Sequence, residues 1–174
     1  MLRAAIACLL CVACSVPIGT VPSREPAPVA PPVAMRREEL AKAVLVESNR
    51  ARTAQGLPEL AAHASLDRAA MQYAEELAER RTLSHQSPVR GRETLSLRVE
   101  AEGVRWRNLG ENLASMSGLN VSVPRQTIEM WLNSPGHRSN MLDAGYSESG
   151  VGVARGEDGL WYVVQIYMVP WPNR

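Results

Sequence analysis

The chain has 174 residues, with 19 basic and 18 acidic side chains for a net charge of +1, twelve prolines, no phenylalanine and three cysteines. A length in this range is served by one core, and the near-neutral balance offers no basic face for nucleic acid. The cysteines are Cys8, Cys11 and Cys14, so everything after them excludes a disulfide scaffold, a thiol nucleophile and a cysteine-ligated metal.

Residues 1–15 read as an export leader. One positive side chain, Arg3, precedes an apolar run too short for a membrane span, which needs ~20 residues, and small residues follow, as in a secretory signal peptide. The Cys-x-x-Cys-x-x-Cys spacing would suggest an iron–sulfur or zinc site in a folded context, but this segment supplies no fourth ligand. Val12-Ala13-Cys14-Ser15 resembles a bacterial lipobox, with Cys14 as the lipidated residue and Cys11 where leucine is usual. Cleavage after Ser15 would instead release a soluble protein. Either route takes the chain out of the cytoplasm, to the periplasm or the outer surface.

Residues 16–34 hold six of the twelve prolines, which remove backbone donors and fix φ. Such a segment favours polyproline II at ~3.1 Å per residue, a spacer of up to ~60 Å. Residues 35–174 then form the domain. Setting aside Arg3, Arg24 and Glu25 leaves it 17 basic and 17 acidic residues, and Lys42 is its one lysine.

The domain opens with a predicted helix over residues 36–55, stopped by Gly56 and Pro58, with Leu40, Val44, Leu45, Ser48 and Ala51 on one face. A second helix is predicted from Ser65, as N-cap, to about Arg80, where Leu66, Ala69, Ala70, Tyr73 and Leu77 form a buried stripe. A weaker helix covers residues 94–102. Another starts near Ser122 with Pro124 in its first turn, placing Ile128 and Trp131 on its apolar side. The period then changes: residues 150–154 and 160–169 flank a Gly-containing turn, a hairpin signal. In the second of these strands both faces are apolar, so it is predicted to be central and covered on both sides. Helices first and strands last, with two buried faces, give an α+β chain folded as a three-layer α-β-α sandwich.

Three histidines are available for chemistry. His63 lies in an alanine-rich connection and reads as a surface residue. His85 sits in a loop after the second helix, and His137 in Ser134-Pro135-Gly136-His137-Arg138, read as a loop after the Trp131 helix. Glu111, in the apolar segment Gly110-Glu111-Asn112-Leu113-Ala114, needs a partner if it is buried.

Taken with Leu66-x-x-Ala69-Ala70-x-x-Tyr73-Ala74, Ser84-His85, Trp131-Leu132-Asn133-Ser134-Pro135-Gly136-His137-Arg138, Asn140-Met141-Leu142, Tyr146 and Gly150-Val151-Gly152-Val153-Ala154, that segment resembles the CAP superfamily, also called the SCP domain, in its bacterial form. This superfamily holds the cysteine-rich secretory proteins, antigen five and the pathogenesis-related proteins. The resemblance covers nearly all of residues 40–170. It implies an α-β-α sandwich with a mainly antiparallel central sheet and a cleft of histidines and glutamates that holds a divalent metal in some members. Carried over, the cleft residues are His85, Glu111 and His137. Two imidazoles and a carboxylate would suit Zn²⁺ with a position left for water. Glu129 is the candidate second cleft carboxylate, or else an exposed helix residue. The chain lacks the His-x-Thr-Gln-like motif and the disulfides of eukaryotic members, so apolar packing must hold the fold.

No Gly-x-Ser-x-Gly elbow, His-Glu-x-x-His or phosphate-binding glycine loop is present. The expected function is an exported binding module, monomeric, with a small lipid or peptide ligand and membrane contact through a lipid anchor alone. The alternatives are a metal- or Glu/His-assisted hydrolase of envelope peptides and a purely structural polar cluster.

Overall fold

The computed structural model describes residues 36–118 and 120–172; the expected leader, lipidation site and proline-rich linker lie outside them. In chain order the elements are α1 (Arg37–Thr53), β1 (Ala61–Ala62), α2 (Ala64–Arg80), α3 (Leu95–Glu100), β2 (Trp106–Met116), a 3-10 turn (Asn120–Ser122), α4 (Val123–Asn133), α5 (Pro135–Met141), β3 (Glu148–Arg155) and β4 (Trp161–Pro170). No helix among the described residues is long and apolar enough to cross a membrane.

The four strands form one sheet in the order β1-β3-β4-β2. β4 is antiparallel to both β3 and β2, and β1 adds a short parallel pairing to β3. The central strand is therefore the one whose two faces are both apolar. Trp161, Val163 and Tyr167 pack with α1, α4 and α5 through Leu40, Val44, Ile128, Trp131 and Met141. Tyr162, Val164, Ile166 and Met168 pack with α2 and α3 through Leu66, Tyr73, Leu77 and Val99. Two cores on opposite sides of one sheet make the three layers.

Layer spacing is set by small residues. On β3, Val151 and Val153 join one core while Gly150, Gly152 and Ala154 face α2. A Cβ at Gly150 would overlap the Leu66 carbonyl carbon, and one at Gly152 the Ala70 carbonyl. The helix backbone thus lies directly on the strand, which the Gly-x-Gly-x-Ala pattern permits.

Several local expectations change. His137 lies in a helix, α5, because Pro135 suits a first helical turn. Ser65 is not the N-cap of α2; His63 is, its Nδ1 accepting from the Ser65 and Leu66 N–H groups at 3.2 and 3.4 Å. His63 is accordingly a half-buried capping residue rather than a surface one. Residues 106–116 are a long strand, β2, which no alternation marks: its last seven residues are buried or half-buried on both faces, as its burial pattern shows. The weak third helix is present and shorter, with Thr94 Oγ1 accepting from Leu97 N–H.

Among the described residues two arginines are wholly buried. Arg52 of α1 donates to the carbonyls of Pro58, Met141, Asp143 and Tyr146, at 2.8 to 3.3 Å. It thereby ties the end of α5 and the loop beyond to α1. Arg98 of α3 is the other, and it belongs to the candidate site.

Candidate functional site

β2 is an edge strand whose successive side chains go to opposite faces. Leu113 enters the α2/α3 core and Ala114 the α1/α4/α5 core, so Glu111 faces α3 and Asn112 faces α5. The site forms around this edge.

On the first face, the Glu111 side chain is 3% exposed and that of Arg98 0%, with Arg98 Nη2 2.7 Å from Glu111 Oε2. The guanidinium lies over the Tyr73 ring, 3.6 Å from its centroid. The other carboxylate oxygen, Oε1, is 2.8 Å from His85 Nδ1. The His85 side chain is 58% exposed. The loop carrying it is held by Tyr73, whose hydroxyl donates to Ser84 O, by Arg98 Nη1, 3.4 Å from His85 O, and by Ser87 Oγ, which donates to Glu76 at 2.8 Å. The result is a buried ion pair that fixes one exposed imidazole, with Nε2 as its ring nitrogen free of Glu111.

On the second face, Asn112 Nδ2 donates to His137 O at 2.9 Å and to the Tyr167 hydroxyl at 3.1 Å. Asn140 Nδ2 donates to Glu111 O and to Asn112 Oδ1 at 3.2 and 3.0 Å, and Trp131 Nε1 to Leu113 O at 3.0 Å. These bonds pin α5, and with it His137, against residues 111–113. The hydrogen-bond chain continues through Tyr167 to Gln165, Ser48 and Ser149 in the core.

The two imidazoles are shifted in opposite directions. The bond to the Glu111 carboxylate raises His85 above its ordinary 6.5, against burial, which lowers it. Burial, and secondarily the charge on His85, lowers His137. Stability from His85 is therefore present below 6.5 and lost as pH rises through its raised value. Stability from His137 is present above 6.5 and lost as pH falls through its lowered value. By NMR, the His85 ring protons should titrate above 6.5 and those of His137 below it. In Glu111→Gln, His85 should move back down; an unmoved His85 would remove the carboxylate as the cause.

The structure thus brings His85, Glu111 and His137 to one strand edge. Glu129 is placed elsewhere, on an exposed face of α4, 3.4 Å from Arg125 and beside Met116, Gln126 and Asn133. Among the described residues no group of three His, Cys, Asp or Glu side chains is arranged to hold a metal ion. Both Glu111 oxygens are engaged, Oε2 by Arg98 and Oε1 by His85, the arrangement in which a carboxylate orients an imidazole. Sequence reasoning missed Arg98, Asn112 and Asn140. Arg98 had a signal: it falls three residues after Leu95 and one before Val99, on the stripe that faces the core.

Fold and site together define an α-β-α sandwich with a His85–Glu111–Arg98 network at the edge of its sheet and His137 on the helix docked beside it. The chain belongs to the CAP family, the cysteine-rich secretory protein family, whose model matches residues 46–167. It is 29% identical over 111 residues to YkwD of Bacillus subtilis, an uncharacterized protein, covering 64% of this chain and 41% of that one. It is 33% identical over 114 residues to YlbC, an uncharacterized membrane protein of the same bacterium, covering 66% and 31%. The chain thus spans less than half the length of these relatives. Among solved structures it resembles an outer surface protein of Borrelia burgdorferi, with a TM-score of 0.69, 22% identity and coverage of 79% of this chain and 97% of that one. It also resembles an extracellular protein containing an SCP domain from Bacillus anthracis, with a TM-score of 0.64, 26% identity and coverage of 76% and 41%. NaASP2, solved with Zn²⁺, superposes with a TM-score of 0.56 at 17% identity, covering 79% and 82%.

Proposed function

We propose that the protein is an exported binding module, anchored to a membrane through a lipid on Cys14, that presents His85 and His137 to a small lipid or peptide ligand. One observation carries this reading: the buried Arg98–Glu111 pair holds an exposed imidazole in one orientation. A carboxylate needed only for packing would have no reason to fix a ring that stands in solvent. The neutral charge balance argues against nucleic acid as the partner, and the extracellular and outer-surface relatives support export. The module is proposed to act as a monomer.

A divalent ion is compatible with this site in a limited form. His85 and His137 supply two imidazole nitrogens where a catalytic zinc site takes three protein ligands, so water or the ligand would complete the coordination. The opposite shifts of the two histidines favour a second reading, since pKa values pushed apart suit an acid and a base in hydrolysis of envelope peptides.

The test is native mass spectrometry of the protein released from its membrane under mild conditions, with and without Zn²⁺. A lipid or peptide adduct should be present in the native chain and reduced at least about tenfold in His85→Ala, the loss of a charge-assisted contact. An adduct-free spectrum in both would count against binding. Turnover of an envelope peptide that disappears in folded Glu111→Gln would make the hydrolase the correct reading.

A further inference from the structure

A groove of about 940 Å³ lies where the first turn of α2 meets the start of β3 and the chain leaving β4. None of its lining residues belongs to the His85–Glu111–His137 cluster. One wall carries His63 and Glu148, with His63 Nε2 3.8 Å from Glu148 Oε2. Because His63 Nδ1 accepts two backbone N–H groups, the ring proton sits on Nε2, towards Glu148. The other wall carries Arg105 and Trp171, set side by side by the Trp171 N–H donating to Arg105 O at 3.3 Å. The guanidinium lies 5.1 Å from the indole centroid, and Trp171 is 47% exposed. Arg105 makes no ion pair among the described residues, whereas Arg68 and Arg81 are each bonded to a glutamate.

We infer that this groove is a second binding site, and that its ligand is a carboxylate-bearing sugar chain. An ionised carboxylate only accepts hydrogen bonds and a guanidinium only donates them. A ligand satisfying both walls must do both, as ring hydroxyls do. Trp171 is half exposed, with the Arg105 guanidinium over one face of its ring, and the exposed part of the indole suits the C–H face of a pyranose. The guanidinium without a counter-charge selects a carboxylate, which it can take through two parallel bonds. Pockets of ~300–1,000 Å³ hold ligands of this size. An acidic peptide would satisfy Arg105 and offer backbone N–H donors to Glu148, but it has no pyranose C–H face to lay on the Trp171 indole.

The experiment is a titration of the isotopically labelled protein followed by NMR. Three probes of equal length are compared: a hyaluronan tetrasaccharide, uncharged chitotetraose, and tetraglutamate. The hyaluronan fragment should shift the Trp171 indole and Arg105 Nε signals, binding about tenfold more tightly than chitotetraose, the expected gain from one bidentate charge-assisted contact. Trp171→Ala should abolish the shift of the Arg105 Nε signal. Arg105→Gln should erase the difference between the two sugars. Trp171 lies beyond the end of β4 at an exposed position, and unchanged His85 and His137 signals would report that the fold persists in each variant. The inference is overturned if neither sugar moves Trp171 at millimolar concentration, if tetraglutamate binds as well as the hyaluronan fragment, or if the shifts centre on His85 and His137.

Discussion

Replacing Gly152 with valine should lower the melting temperature by at least about 10 °C, or abolish cooperative unfolding altogether, corresponding to a loss of about 3 kcal/mol or more. The branched side chain would have to occupy the space of the Ala70 carbonyl and the Met71 nitrogen. These are backbone atoms inside α2, so no side-chain rotation can yield the room. The helix must lift from β3, and it carries Leu66, Tyr73 and Leu77 with it out of their core. Against a total stability of about 5–15 kcal/mol, that loss is a large fraction. Gly136→Ala provides the contrast. A Cβ there meets nothing within 4 Å, and the change should be neutral or stabilise α5 slightly, since glycine costs about 0.5–1 kcal/mol in a helix. Thermal denaturation of the two variants side by side checks the argument. Equal melting temperatures would mean that α2 is not seated on the glycines.

Arg98→Met should cost about 3–5 kcal/mol, the usual penalty for removing one member of a buried ion pair. Methionine can keep the stem packed against Tyr73, but Glu111 Oε2 then lacks its donor in a site closed to water. The carbonyls of His85 and Arg92 lose their shared donor as well. The double variant Arg98→Met with Glu111→Leu removes both charges and should recover most of the lost stability, because apolar replacement of a buried pair is often near neutral. His85 would still lose its orienting carboxylate, so the recovered fold should show an imidazole titrating near its ordinary value. Denaturant unfolding of the two single variants and the double variant measures the coupling. A single-variant loss under about 1 kcal/mol would show that the pair behaves as an exposed one.

How much of this was legible in the sequence depends on whether the signal was periodic. The two-sided apolar run at residues 160–169 and the stripe from Leu66 to Leu77 are period signals, and both elements stand where they were expected. β2 gave no such signal. Its residues 110–114 read Gly-Glu-Asn-Leu-Ala, and an edge strand that carries a site puts polar groups on both faces. The helical state of His137 was hidden by Pro135 and Gly136, which mark a turn as readily as a first helical turn. Glu111 was recognisable as a carboxylate in need of a partner. The identity of that partner was not, because Arg98 and Arg52 have the same composition signature as solvated arginines, and nothing local reports that four carbonyls or a carboxylate await them across the fold. His63 was missed as a cap for a related reason: imidazole is a rare capping acceptor beside the serine two residues on.

The edge strand β2 has one more property. Its outward-facing carbonyls at Glu111 and Leu113 are taken by Asn140 and by the Trp131 indole. An open strand of this length is a template on which another chain can pair and begin to aggregate. Here two side chains from neighbouring helices occupy the acceptors that an incoming strand would need. The contacts beside His137 therefore also deny an incoming strand these acceptors, and loosening α5 should expose an aggregation-prone edge at the same moment as it freed His137 from the strand.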